Sequence, residues 1–139
     1  MTPEQISLVQ SSFQKVLPIK DKAAGVFYTR LFELNPALES IFPADLTEQG
    51  KKLMAALATL VSGLAQPDTI LPAIKELGAR HIDYGAKNTD YGNVGEALIW
   101  SFERGLGDDF TPAVRDAWIA AYTLLSNVMI EAADARKAA

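Results

Sequence analysis

Ile70-Leu-Pro-Ala-Ile74-Lys-Glu-Leu77-Gly-Ala-Arg-His81 sets three apolar anchors and the chain's only histidine on one stripe. Spacings of four, three and four residues return each side chain to the same face of a 3.6-residue helix. Asp68 or Thr69 can cap that helix, which is expected to fray at Tyr84-Gly85. A lone imidazole on an apolar stripe has two readings: a hydrogen-bonded core residue, or a ligand. A zinc site is out of reach, because one histidine and no cysteine cannot supply the N and S donors it needs.

The same period repeats on both sides of this stretch, and no long segment alternates apolar and polar residues. Thr2, Pro3 and Gln5 predict an N-cap, a first-turn proline and a capping-box partner. Ile6, Val9, Phe13, Val16 and Leu17 follow on one face until Pro18. A second helix is expected from Lys20 to Leu34, ending because Asn35 precedes Pro36. A proline-bounded connection, Pro36 to Pro43, carries Leu38, Ile41 and Phe42. The next helix is expected from Asp45 or Thr47 to about Leu64. Asn88 or Thr89 can cap another, carrying Tyr91, Val94, Leu98 and Phe102 and stopping at Gly105 or Gly107. Thr111 and Pro112 open a long last helix whose tail, from Asp134, is expected to fray. The pattern predicts one all-α domain over residues 1–139.

Composition narrows the function. Of 139 residues, 49 % are apolar and 22 % charged, which suits a packed globular interior. A net charge of −4 without a Lys/Arg block argues against binding nucleic acid or an anionic membrane. The absence of cysteine removes disulfides, thiolate catalysis, iron–sulfur clusters and covalent haem attachment. The N-terminus lacks the basic and apolar segments of a secretory signal, and no stretch is apolar enough to span a bilayer, so a cytoplasmic location is expected. No Gly-x-Ser-x-Gly elbow accompanies His81, and no carboxylate pair has a spacing that forces acid–base chemistry. A single axial histidine does suffice for haem, since the porphyrin supplies four nitrogens.

Taken in order, Pro36, Phe42, Gln49, Leu53 and His81, then Phe110-Thr-Pro-Ala-Val-Arg-Asp-Ala-Trp118 and Ala121-Tyr122, resemble the landmarks of the globin family. The resemblance spans nearly the whole chain and is nearest to bacterial single-domain globins, related to flavohaemoglobin haem domains and neuroglobin. It implies a globin fold of about seven to eight helices around a haem b (protoporphyrin IX iron) pocket. His81 would be the proximal iron ligand, its ring N–H reaching a carbonyl near Leu77. Phe42 would pack on the porphyrin, with Leu53, Leu77, Val94 and Leu98 lining the pocket and Tyr84 as a further contact. Lys52 and Arg80 either pair with the propionates or are simply solvated.

On the other face, the resemblance implies that Tyr28 and Gln49 donate hydrogen bonds to a bound gas. Its ligands would be dioxygen, carbon monoxide and nitric oxide. The family pattern also pairs the proximal histidine with a tyrosine and a glutamate. Tyr91 fits the first, but Ala133 stands at the second position, with Glu131 on another face. The reading that follows is a reversible dioxygen binder: a carrier, store or scavenger. The alternative is a nitric oxide dioxygenase that depends on an external reductase, since no flavin or nicotinamide domain is expected in these residues.

Overall fold

A computed structural model describes residues 1–83 and 90–138, with the side chains of residues 67, 79–83 and 136–138 outside the description. Among the described residues six α-helices follow one another: α1 (Pro3–Val16), α2 (Lys20–Leu34), α3 (Thr47–Ser62), α4 (Pro67–Asp83), α5 (Asp90–Leu106) and α6 (Pro112–Ala138). Short 3-10 turns occupy Leu17–Ile19, Pro36–Ile41 and Gly107–Asp109. No strand occurs among the described residues. The expected seven to eight helices thus resolve into six α-helices and three 3-10 turns.

The boundaries have local causes. The Thr2 hydroxyl accepts from the Gln5 N–H at 3.1 Å, and the Gln5 side chain accepts from the Thr2 N–H at 3.0 Å, completing the capping box. Asn35 takes an extended conformation (φ −147°, ψ 90°) before Pro36, which ends α2. The last helix departs from expectation. It continues to Ala138 rather than ending at Asp134, because the tail holds alanines, Arg136 and Lys137 and no glycine or proline. The expected caps Asn88 and Thr89 lie outside the described residues.

The helices pack in pairs: α4 on α6, α2 on α5, α1 on α6 and α2 on α3. One apolar cluster joins Phe13, Phe27, Leu31, Phe102 and Trp118 at the centre. Within it the Phe102 and Trp118 rings lie 4.6 Å apart. The Trp118 Nε1–H would be costly to bury alone. It donates to Ser12 Oγ at 2.8 Å, and Ser12 in turn donates to the Val9 carbonyl at 3.1 Å. A second cluster, Leu60, Ile70, Ile74, Tyr91 and Met129, holds the first half of α4 against α6. At the surface the Arg30 guanidinium lies 4.2 Å over the Trp100 ring and pairs with Glu96 at 3.5 Å, tying α2 to α5.

The seating of α4 depends on Gly78. A Cβ there would stand 2.5 Å from the Met129 carbonyl oxygen and 2.7 Å from its Cα, so main chain meets main chain. Gly78→Ala should therefore cost about 1–3 kcal/mol through overpacking that a rigid helix cannot relieve. Gly25→Ala, at an exposed site on α2 with open space around it, should instead stabilise by about 0.4–1 kcal/mol. Urea unfolding of both variants checks the pair. Equal effects of one sign would show that the crossing at Gly78 is not tight.

Candidate functional site

The site begins where α2 crosses α3. A Cβ on Gly50 would lie 3.0 Å from the Ala24 Cβ, so two small residues let the helices close together. One turn beyond Ala24, Tyr28 is thereby brought to the start of α3. Its side chain is 4 % exposed, and its hydroxyl donates to the Gln49 main-chain carbonyl at 3.3 Å. Phe27 and Phe42 meet its ring edge-on at 5.0 and 5.5 Å, and Phe32 lies at 6.1 Å. This aromatic collar fixes the ring and leaves the hydroxyl as its one polar end. Burial pushes the phenol up from 10.0 to about 12, with hydrogen bonding from Gln49 acting against the shift. Tyr28 is therefore a neutral donor at any physiological pH.

Beyond Gln49, Leu53 lies half-buried one turn along α3, and Lys52 is exposed beside it. Phe42 and Val94 are also half-buried and pack against the central cluster, while Leu98 is buried within it. Leu77, on α4, is half-buried against the second cluster. Among the described residues α3 and α4 meet only sparsely. Phe42, Leu53, Leu77 and Val94, from four elements, thus each keep part of their apolar surface uncovered. That is a fitting environment for a flat, largely apolar ring that needs one axial nitrogen. His81 falls on α4, but its side chain and that of Arg80 lie outside the described residues, as does Tyr84 altogether.

The α6 side bears on the imidazole's expected partners. Ala133 is 2 % exposed, so the position where the resemblance expects a glutamate is a packed methyl group. Glu131 is exposed on another face. Tyr91 is buried, and burial beside Asp90 raises its pKa. The Tyr122 hydroxyl donates to the Tyr91 carbonyl at 2.6 Å, and burial raises the Tyr122 pKa strongly. Sequence reasoning missed the Ala24–Gly50 crossing, the Phe27 and Phe32 neighbours of Tyr28, and the bond from Tyr122. The first left a signal, a glycine inside a helical stretch opposite a small residue; the bond left none.

With this geometry in hand, likeness to known proteins adds the family. The globin family model matches residues 25–129. Flavohemoprotein of Bordetella parapertussis is 29 % identical over 133 residues, covering 94 % of this chain and 33 % of that protein. Flavohemoprotein of Bacillus subtilis is 30 % identical over 130 residues, covering 90 % and 32 %. The chain thus spans about a third of the length of these flavohemoproteins. Neuroglobin of Danio rerio is 27 % identical over 136 residues, covering 88 % of this chain and 86 % of that one. In fold, a bacterial globin from Campylobacter jejuni superposes with a TM-score of 0.88 at 20 % identity, covering 99 % and 100 % of the two chains. An engineered carbene transferase from Rhodothermus marinus gives 0.88 at 24 %, covering 99 % and 96 %. The helical path, the match over residues 25–129 and these relatives lead to one conclusion: the chain belongs to the globin family of haem-binding proteins.

Proposed function

We propose that the chain, as one domain, binds haem b between α3 and α4 and reversibly holds dioxygen on the α3 side. Carbon monoxide and nitric oxide suit the same place. When bound, haem supplies ferrous iron that takes a diatomic gas as ligand. In this reading His81 anchors the iron, and a carbonyl near Leu77 fixes the tautomer of its ring. Phe42, Leu53, Leu77, Val94 and Leu98 exclude water, and Tyr84 adds a further contact. Lys52 and Arg80 would supply positive charge to the propionates. A cytoplasmic carrier, store or scavenger fits these features.

The observation that carries this reading is the Tyr28 hydroxyl. It is buried and neutral, and its bond to the Gln49 carbonyl at 3.3 Å is longer than a good O–H···O bond. A gas that gathers negative charge on binding is a better acceptor, since charge-assisted bonds are roughly twice as strong as neutral ones. Tyr28 can therefore exchange a weak internal bond for a strong one. Gln49, alongside, supplies a second donor. Such bonds are worth roughly 1.5–3 kcal/mol each.

The Rhodothermus marinus neighbour, provisionally named a nitric oxide dioxygenase, suggests a second reading, nitric oxide dioxygenation. There nitric oxide and dioxygen would combine with one electron from an external reductase to give nitrate. The buried Ala133 weighs against it, because no carboxylate stands there to raise the basicity of the imidazole. Sustained nitric oxide consumption by the purified chain with NADH alone would favour the enzyme.

His81→Gly should lose the absorption spectrum of histidine-ligated haem, and added imidazole should restore it. An unchanged spectrum would remove His81 as the anchor.

Tyr28→Phe should speed dioxygen release about tenfold or more, Gln49→Leu less, and carbon monoxide release should barely change in either. Parent-like dioxygen release in both variants would remove the two donors from the reading.

The Tyr28 phenol also sets an alkaline limit. Its pKa is about 12 when folded against 10.0 ordinarily, so its contribution is complete below pH 10 and is lost as pH rises towards 12. Tyr28→Phe should flatten the fall of stability in that window by up to one proton per unfolding event. Urea titrations at pH 9, 10.5 and 11.5 measure the difference; identical slopes would place the phenol in water.

A further inference from the structure

α2 and α5 run antiparallel, with Arg30 reaching Glu96 near one end and Gly105 abutting Ile19 at the other. On the outer edge of this pair two guanidiniums are held on one indole. The Arg30 Cζ lies 4.2 Å from the centre of the Trp100 ring, and the Arg104 Cζ lies 3.8 Å from it. Their surroundings differ. Arg30 is largely covered and pairs with Glu33 and Glu96 at 4.0 and 3.5 Å. Arg104 is exposed and pairs with no carboxylate among the described residues. Stacking engages the face of a guanidinium and leaves the N–H donors on its edge available.

Charge is also graded along this edge. Glu33 and Glu96, both exposed, mark the end where α2 finishes; Lys22 and Arg104, both exposed, mark the end where α5 finishes. Arg30 and Trp100 lie between. Glu103 precedes Arg104 but sits about 100° away round the helix. A face that is acidic at one end and basic at the other complements itself after a half-turn.

We propose that this face pairs with the same face of a second copy of the chain, as a two-fold dimer in which Arg104 of each copy meets Glu33 of the other. Trp and Arg are the side chains that most often anchor such contacts. Arg104, already held on Trp100, has less freedom to lose on pairing. Charge selects the partner, since a uniformly acidic or uniformly basic protein would meet its own sign at one end. Glu33, Trp100 and Arg104 take no part in holding haem or gas, so the proposal does not rest on the dioxygen reading.

Sedimentation velocity of the haem-loaded, carbon monoxide-saturated protein from about 1 to 100 μM tests it. The polypeptide mass should rise from 15.1 kDa towards twice that value. Arg104→Glu and Glu33→Arg, each alone, set like charges against each other at both contacts and should weaken association about tenfold or more. Mixed in equal amounts, the two variants restore an opposite pair at both contacts and should associate as the parent does. In the parent, raising sodium chloride to about 0.5 M should weaken association, a readout that needs no variant. Four results overturn the proposal: a parent that stays monomeric, which would leave the face to a different protein; association indifferent to salt; single variants that associate like the parent; or a mixture no more associated than its components.

Discussion

The main chain of α6 passes so near Gly78 that no side chain fits between them, and the rest of the site is arranged around that contact. Ridges of side chains ordinarily hold helices 8–10 Å apart. Here a glycine lets α4 lie against the Met129 backbone, and the cluster of Leu60, Ile70, Ile74 and Met129 secures its first half. With α4 committed to α6 and α3 committed to α2, the two flanking helices have little surface left for one another. The opening between α3 and α4 is thus a product of where each helix has already been claimed.

Two close crossings therefore frame the site from opposite sides. Ala24 against Gly50 sets how deep α2 sits under α3, and so where the Tyr28 hydroxyl emerges. Gly78 against Met129 sets the line of the helix that bears residue 81. The aromatic collar of Phe27, Phe32 and Phe42 holds Tyr28 by shape, with its hydroxyl satisfied only weakly. A side chain held by packing keeps its direction when its hydrogen-bond partner changes. One held chiefly by that bond would turn away with it.

The local punctuation of the fold was legible in the sequence. Thr2-Pro3 with Gln5, Asn35 before Pro36, and Thr111-Pro112 act through neighbouring residues, and each marks a helix boundary in the structure. The order of landmarks from Pro36 to Trp118 pointed to the family, and Tyr28 and Gln49 do come together. What stayed hidden depends on distant partners. Nothing beside Gly78 announces Met129, and nothing beside Trp118 announces Ser12. The roles given to His81, Arg80 and Tyr84 concern side chains outside the description and stand on the resemblance alone. The last helix outruns its expected end because its tail residues favour helix, whatever their nearness to the end of the described residues.

The bond from Trp118 to Ser12 joins positions 106 residues apart. During synthesis α1 emerges first and can form its capping box at once, since that needs only Thr2 and Gln5. Its apolar face, however, has no α6 to rest on until Trp118 has been added. At about 5–20 residues per second, that interval is on the order of 5–20 s. Until then Val9, Phe13 and Val16 have only the contacts that α3 and α5 supply. The first of the six helices is thus among the last to be fully secured, and chaperone demand would concentrate on its apolar stripe.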